Sequence, residues 1–264
     1  KYFTLRQRTR WTDTHILAGT EDSMTGFTDI HCHILPGLDD GAKDRQMLEQ
    51  MLEMAYESGT RALIATSHYN PEVFNYTAAD YEQRLILAKI AAMDIADDLK
   101  IYPGNEVFFT STSVEDMLSG KIKTLADSQY VLVEFAPYQD FAYICKAVRE
   151  VSRAGFWPVV AHAERYMAVA EVPERAGDLI AEGAYIQVNA AHLLGSDGKK
   201  VKNAIHKMLK RNEVHFIASD GHNVQRRTTQ LKACADYLCQ KFGEEQCRTI
   251  MIDNPGKIIS KKMI

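Results

Sequence analysis

The stretch Asp29-Ile30-His31-Cys32-His33-Ile34-Leu35-Pro36-Gly37-Leu38-Asp39-Asp40-Gly41 carries the first residues able to do chemistry. It grows out of the short apolar run Gly26–Ile30, which reads as a strand. Side chains two apart on a strand face the same way. His31 and His33 therefore share a side and Cys32 takes the other. Two imidazoles on one face at a strand's end make half of a metal site. The turn that follows, 36–41, adds two carboxylates.

Comparable polar residues end the other apolar runs. They are His68 in Thr66-Ser67-His68, Glu106 in Gly104-Asn105-Glu106, and Glu134 in Leu132-Val133-Glu134-Phe135. His162 follows in Ala161-His162-Ala163-Glu164-Arg165, then Asn189, then Asp220 and His222 in Ser219-Asp220-Gly221-His222. From His31 the successive intervals to His68, Glu106, Glu134, His162, Asn189 and Asp220 are 37, 38, 28, 28, 27 and 31 residues. Each is about one βα unit. Five imidazoles (31, 33, 68, 162, 222) and four carboxylates (40, 106, 134, 220) exceed the needs of one tetrahedral zinc. They can hold two or three divalent ions with bridging carboxylates. Nitrogen and oxygen ligands without cysteine suit manganese, iron or zinc.

Several adjacent cations call for an anionic substrate that bridges them, and phosphate-ester hydrolysis is the natural use. Arg165 and Arg227 lie near His162 and Asp220 in sequence. They are candidates for gripping phosphate oxygens, which a guanidinium fork fits well. A cysteine nucleophile is not expected. Cysteine-based phosphatases need an arginine six residues on, and here those positions are Leu38, Val151, Gln240, Glu245 and Asp253. His15, His206 and His215 lie away from the strand ends, and His192 in Asn189-Ala190-Ala191-His192 could reach them.

The elements that must position these residues alternate. Short apolar runs rich in β-branched or aromatic residues predict strands at 27–31, 61–66, 100–104, 130–135, 156–161, 184–189 and 214–219. Helical patterns occupy 44–58, 78–97, 140–154, 173–182, 197–211, 227–242 and 244–251. Gly59 can end the first, and Thr77 with Asp80 can form a capping box for the second. Seven strands alternating with helices argue for a parallel sheet. A closed or nearly closed barrel is expected, with an open doubly wound sheet as the alternative. No glycine-rich loop follows the first strand, which weighs against a dinucleotide-binding fold. The polar strand ends would then gather at the C-terminal mouth.

The 264 residues are 46% apolar and 25% charged, with a net charge of −4. That composition can fill one domain and gives no sign of general nucleic-acid affinity. Five scattered cysteines without a C-x-x-C pair fit reduced thiols and a cytoplasmic location. No apolar run approaches a membrane span. Residues 1–25 read as a basic N-terminal extension and linker, ahead of a catalytic unit over 26–264.

The run DIHCHILPGLDDGAKD, then TSHY, GNE, VLVEF, AHAERY, QVNAAHLL, ASDGHN and IDNPGKI, resembles one family. It is similar to the metal-dependent protein-tyrosine phosphatases of the polymerase and histidinol phosphatase (PHP) superfamily, found in bacterial capsule and exopolysaccharide gene clusters. The resemblance covers about residues 26–264. It implies a distorted (β/α)7 barrel of the PHP type and a three-metal site, usually manganese-activated. It implies His31, His33, Asp40, His68, Glu106, Glu134, His162, Asp220 and His222 as ligands, with Arg165 and Arg227 as phosphate contacts. Spacing alone does not choose between Asp39 and Asp40; the family pattern selects Asp40. The implied substrate is a phosphotyrosine protein, an autophosphorylating bacterial tyrosine kinase with a tyrosine-rich tail.

Three rivals stand beside this reading. A small-molecule phosphatase on the same barrel, such as one for histidinol phosphate, would favour a deep closed pocket. A metal-dependent amidohydrolase also begins with H-x-H but needs a metal-bridging lysine at a strand end, and no candidate strand ends in lysine. A non-catalytic domain would have no use for so full a set of ligands.

Overall fold

The computed structural model describes residues 24–264, and the expectation of an N-terminal extension falls largely outside them. Nine strands are present among the described residues: β1 Phe27–Cys32, β2 Thr60–Ala65, β3 His68–Tyr69, β4 Lys100–Pro103, β5 Glu106–Phe108, β6 Tyr130–Glu134, β7 Trp157–Val160, β8 Tyr185–Asn189 and β9 Phe216–Ala218. The helices are α1 Arg45–Glu57, α2 Ala78–Ile95, α3 Ser113–Leu118, α4 Phe141–Arg153, α5 Met167–Glu171, α6 Arg175–Ala181, α7 Ala190–Leu194, α8 Gly198–Lys210, α9 Lys232–Phe242, α10 Glu244–Arg248 and α11 Asn254–Ile259. All strand pairs are parallel, as the alternation predicts.

The strands form two curled sheets, β1-β2-β4 and β3-β5-β6-β7-β8-β9. The second and third expected strands, 61–66 and 100–104, form as β2 and β4, and each is followed after a break by a short strand that was not expected. β2 gives way to β3 across Thr66-Ser67, and β4 to β5 across Gly104-Asn105. The breaks lie side by side, bridged by the Glu106 N–H to the carbonyls of Thr66 and Ser67. A Cβ on Gly104 would sit 2.7 Å from Ile64, so the close approach needs glycine. Past the breaks, β5 pairs with β6 while β4 does not. Leu125 and Ala126 of the 3-10 turn Leu125–Asp127 pack in the interior core with Ile64, Tyr130 and Leu132.

The two sheets meet again at the first and last strands. The Asp220 N–H donates to the His31 carbonyl at 2.9 Å, and the His33 N–H to the Gly221 carbonyl at 2.8 Å. The buried Asp29 carboxylate accepts from the Ser219 N–H at 3.0 Å and from its hydroxyl at 2.5 Å. Burial lifts the pKa of Asp29 to about 6.

Below the mouth the sheet interior is apolar: Ile30, Tyr130, Leu132, Val159, Ala161, Tyr185, Phe216 and Ala218, with Ile258 of α11 beneath. The outer faces bury α1 and α2 on one side and α4–α9 on the other. The predicted caps form. Asp80 N–H donates to the Thr77 hydroxyl and Thr77 N–H to the Asp80 carboxylate, and Gly59 takes φ 94° after α1. The helices differ from expectation in three places. α9 begins at Lys232, not 227, because Asn223 accepts hydrogen bonds from the N–H groups of 225, 226 and 227 and holds that stretch as a loop. A short α5 precedes α6, and 249–253 is a π-helical turn between α10 and α11.

His215 lies just before β9, where its Nδ1 accepts the Ile186 N–H at 3.1 Å. Burial lowers its pKa from 6.5 to about 4. The depressed folded pKa means its contribution is present above pH 6.5 and lost as pH falls toward 4, where the unfolded chain takes up the proton first. We expect about 2–3 kcal/mol of acid destabilisation from this group. His215→Asn keeps an acceptor for Ile186 and should flatten the acid limb in urea titrations at pH 4–7; an unchanged limb refutes the assignment.

Candidate metal-dependent active site

The site lies where the strands end. On β8 the face that carries Tyr185 inside continues with Gln187 and Asn189; on β6 the face of Tyr130 and Leu132 continues with Glu134. The same alternation carries Phe216 and Ala218 of β9 on to Asp220. His162 breaks it: Val159 and Ala161 face the interior, and His162 has the wrong parity. Its backbone adopts a left-handed φ of 31°, and Asp220 one of 52°. Such conformations cost of order 1–3 kcal/mol and persist where surrounding contacts impose them.

All nine expected ligand residues converge. Glu106 Oε2 lies 3.2 Å from each of His31 Nε2, His33 Nε2 and His68 Nδ1. Its other oxygen is 2.7 Å from His162 Nε2, which is also 3.4 Å from Glu134. Asp220 Oδ1 stands 3.4 Å from His31 and 3.7 Å from His33. Asp40 Oδ1 faces His68 Nε2 at 3.4 Å and His222 Nε2 at 3.3 Å. Three overlapping groups have ligand-type atoms close enough to share an ion: His33, Asp40, His68 and His222; His31, His33, Glu106 and Asp220; His68, Glu106 and Glu134. His162 belongs to none of the three.

Hydrogen bonds fix which imidazole nitrogens are free. His31 Nδ1 faces the Gln187 carbonyl oxygen at 3.1 Å, His33 Nδ1 the Asp39 carboxylate at 2.9 Å, and His222 Nδ1 the Asp220 carbonyl at 2.9 Å. In the neutral ring each contact puts the proton on Nδ1 and leaves Nε2 a bare lone pair. His31 Nε2 and His33 Nε2 then point at each other across 3.2 Å, which repels unless positive charge lies between them. Glu106 Oε2 and His222 Nε2 are buried without a hydrogen bond. Ligand atoms about 2.0–2.2 Å from a cation lie roughly 3.0–3.4 Å from one another, so these separations suit divalent ions.

The electrostatics agree. Burial opposes charge on Glu106, yet His31, His162 and His33 outweigh it and hold its pKa well below the carboxylate range. Burial opposes charge on His33 too, but Asp39 and Glu106 lift its pKa well above the usual value, so the acidic surroundings favour positive charge at this point. The close approach of the His222 and His68 imidazoles holds the pKa of Asp40 below the usual carboxylate range, so it is ionised. Burial brings His222 down to about 4, neutral and able to ligate. Burial and then the Glu106 charge raise Glu134.

Arg165 follows His162 in the 3-10 turn Ala163–Arg165, and Arg227 sits on the loop held by Asn223. Arg227 donates to Asp220 Oδ1 at 2.6 Å, and Arg165 lies 3.8 Å from Oδ2. Both line a cleft of about 460 Å³ with Asp220, Arg226 and His192. His192 Nδ1 is 2.7 Å from buried Glu164. His215 and His206 lie elsewhere, on Ile186 and Tyr237. Cys32 is buried on the opposite side of β1, donates to the Ile64 carbonyl, and has its pKa pushed well up by burial. It is no nucleophile.

Sequence reading passed over Gln187 and weighed Asp39 only as the alternative to Asp40 as a ligand. Asp39 accepts from His33, from the His68 N–H at 2.9 Å and from the Gly41 N–H at 3.0 Å. Gln187 could have been flagged: it is a polar residue inside Tyr185-Ile186-Gln187-Val188, in step with Asn189.

Fold and site together define a metal-dependent hydrolase on a curled parallel sheet, with its candidate ligands at the strand ends. A model of the capsular polysaccharide synthesis family CpsB/CapC matches residues 27–260, and the chain belongs to that family. Tyrosine-protein phosphatase CpsB of Streptococcus pneumoniae is 32% identical over 241 residues, 89% of this chain and 99% of its own. Tyrosine-protein phosphatase YwqE of Bacillus subtilis is 34% identical over 219 residues, 82% of this chain and 85% of its own. The crystal structures of those two proteins, described as unique metal-dependent tyrosine phosphatases, include a chain matching with a TM-score of 0.84 at 30% identity, over 90% of this chain and 96% of that one. A D-hydantoinase matches with a TM-score of 0.56 at 13% identity, over 86% of this chain and 69% of its own, a likeness of fold alone.

Gly41 closes the turn over His33. A Cβ there would fall 2.1 Å from the His33 carbonyl oxygen and 2.5 Å from its Cβ. Neither can yield without moving the ligand. Gly41→Ala should cost about 1–3 kcal/mol in chemical denaturation and weaken metal uptake; wild-type values for both would show that the turn is slack.

Proposed function

We propose that this chain is a metal-dependent phosphatase that hydrolyses phosphotyrosine in proteins. The observation that carries this reading is the convergence of imidazoles and carboxylates on Glu106, with two arginines on Asp220 at an open mouth. The side chains of Arg165, Arg227 and Asp40 are 40%, 41% and 54% exposed. Such a mouth suits a protein tail better than a buried metabolite. The tyrosine-phosphatase relatives support the same substrate class.

In this reading His31, His33, Asp40, His68, Glu106, Glu134, His162, Asp220 and His222 hold two or three divalent ions, with Asp39 orienting His33 rather than ligating. Manganese is our assignment, on the mixed nitrogen and oxygen donor set. Bound ions would supply Lewis acidity and activate water at neutral pH. The chain's own residues do the rest. Arg165 and Arg227 leave Asp220 to grip the equatorial phosphate oxygens, and the tight loops behind them hold the guanidinium groups in place. A phenolate, with a pKa of about 10, leaves with less protonation than an alkoxide needs.

The finer architecture in this reading is a distorted (β/α)7 barrel of the PHP type. It counts β2/β3 and β4/β5 as one strand path each and spans 26–264, with 1–25 as an extension. The substrate we assign is an autophosphorylating bacterial tyrosine kinase of capsule synthesis, met in the cytoplasm. No helix among the described residues is long and apolar enough to cross a membrane.

Chelator should abolish activity and manganese restore it, while thiol alkylation leaves it. With manganese, kcat/KM on a phosphotyrosyl peptide should exceed that on histidinol phosphate by at least about tenfold. The reverse order would make the small-molecule phosphatase the correct reading. Arg227→Ala should cut kcat/KM by about 10- to 1000-fold, roughly 1.4–4 kcal/mol, with metal content intact. Unchanged kinetics would remove Arg227 from the phosphate site.

A further inference from the structure

Gln187 sits in the middle of β8 with no exposed surface, directly beneath the metal cluster. Its Oε1 accepts the backbone N–H of His162 at 2.7 Å and lies 3.1 Å from His31 Nδ1. Its Nε2 donates to Asn189 Oδ1 at 2.9 Å, and Asn189 Nδ2 donates to Asp220 Oδ2 at 2.7 Å. The direction of this chain is forced at both ends. A backbone N–H can only donate, so the Gln187 atom facing His162 is the oxygen. A carboxylate can only accept, so the Asn189 atom facing Asp220 is the nitrogen. The central contact, nitrogen to oxygen, satisfies both amides at once. His31 Nδ1 meets an acceptor with no proton of its own and must carry one, which leaves Nε2 bare toward His33 and Glu106.

We propose that Gln187 is a positioning residue. It sets the His31 tautomer, holds the left-handed turn at His162, and through Asn189 sets the rotation of the Asp220 carboxylate. One buried side chain thereby ties together ligand residues from β1, the end of β7 and the end of β9. The role in metal binding rests on the metal-site reading above, but the tautomer exists without metal or substrate and is measured without them. Isosteric replacement by methionine removes both polar functions. Replacement by glutamate keeps acceptors for His31 and His162 but no donor for Asn189. That amide must then turn its own NH2 toward residue 187 and present its oxygen to Asp220, two acceptors face to face.

The test uses the metal-free full chain with 15N-labelled histidine and reads the tautomer from long-range 1H–15N spectra, with manganese titrations by calorimetry alongside. In wild type, His31 should be protonated at Nδ1 alone. In Gln187→Met that preference should collapse and manganese affinity fall about 10- to 100-fold. In Gln187→Glu the His31 tautomer should return while manganese affinity stays below wild type. A wild-type tautomer together with manganese affinity within about twofold in Gln187→Met would overturn the proposal. If the methionine variant does not fold, as judged by its thermal melt, the glutamate variant decides: weakened manganese binding with the His31 tautomer kept supports the relay, and unchanged binding overturns it. If wild type binds no manganese, the metal-site reading fails, and the tautomer alone then decides whether Gln187 positions His31.

Discussion

Burying charge without a partner is the constraint on which this structure turns. Glu106 and Asp220 are almost wholly shielded from water, and His31, His33 and His162 are buried around them. An isolated carboxylate in such surroundings would neutralise itself by taking a proton. Glu106 does the opposite because positive charge and hydrogen bonding from the histidines around it outweigh the cost of burial. Two of those histidines, His31 and His33, commit an Nδ1 proton to Gln187 and Asp39, so in their neutral forms the nitrogens they turn to Glu106 carry lone pairs and cannot donate. The arrangement balances only with added positive charge at its centre. This is a stronger argument for cations than proximity, since exposed acidic groups gather on many surfaces without binding anything.

The backbone is shaped to make that crowding possible. A curled parallel sheet brings strand ends to one rim, and the seam between β1 and β9 sets His31 and His33 beside Asp220. The rim is not regular. The side-by-side breaks at Thr66-Ser67 and Gly104-Asn105 let His68 and Glu106 begin a fresh pair of strands in register with each other. His162 and Asp220 leave their strands through left-handed turns. The apolar layer below is filled by aromatic rings, with Tyr130 edge-on to Phe216 and Tyr185 tilted against both. Regular packing beneath holds strained geometry above, a division of labour that suits a site built on rigid elements.

Much of this was legible in the sequence because it depends on period. Strand alternation put His31 and His33 on one face and Cys32 on the other, and a βα unit of about thirty residues put His68, Glu106, Glu134, His162 and Asp220 at one end. The breaks in the second and third strands were not legible, because Thr-Ser and Gly-Asn continue a strand or interrupt it according to what packs against them. Ile64 against Gly104 is a contact between distant parts of the chain. The loop before α9 was read as helix because nothing local announces that the Asn223 side chain will capture three successive N–H groups. Gln187 was passed over for a different reason. A lone amide in an apolar strand signals a buried hydrogen bond without naming its partner, and that partner is 156 residues away.

The arrangement of charge around Asp220 bears on how such a site handles its substrate. Arg227 donates to the same Asp220 oxygen that faces His31, while Asn189 holds the other. A guanidinium and a divalent ion cannot both sit on Oδ1 at full strength, because each repels the other at that distance. In the reading proposed above, cations held by the cluster would loosen Arg227 from the carboxylate and leave its fork for an arriving phosphate. Arg165, at 3.8 Å from Oδ2, is held still more loosely. The loops that carry the two arginines are tight, so what changes is the partner of the guanidinium and not the course of the chain. In that reading, an arginine kept on an internal carboxylate until the site is loaded would couple phosphate recognition to occupancy of the site through electrostatics alone.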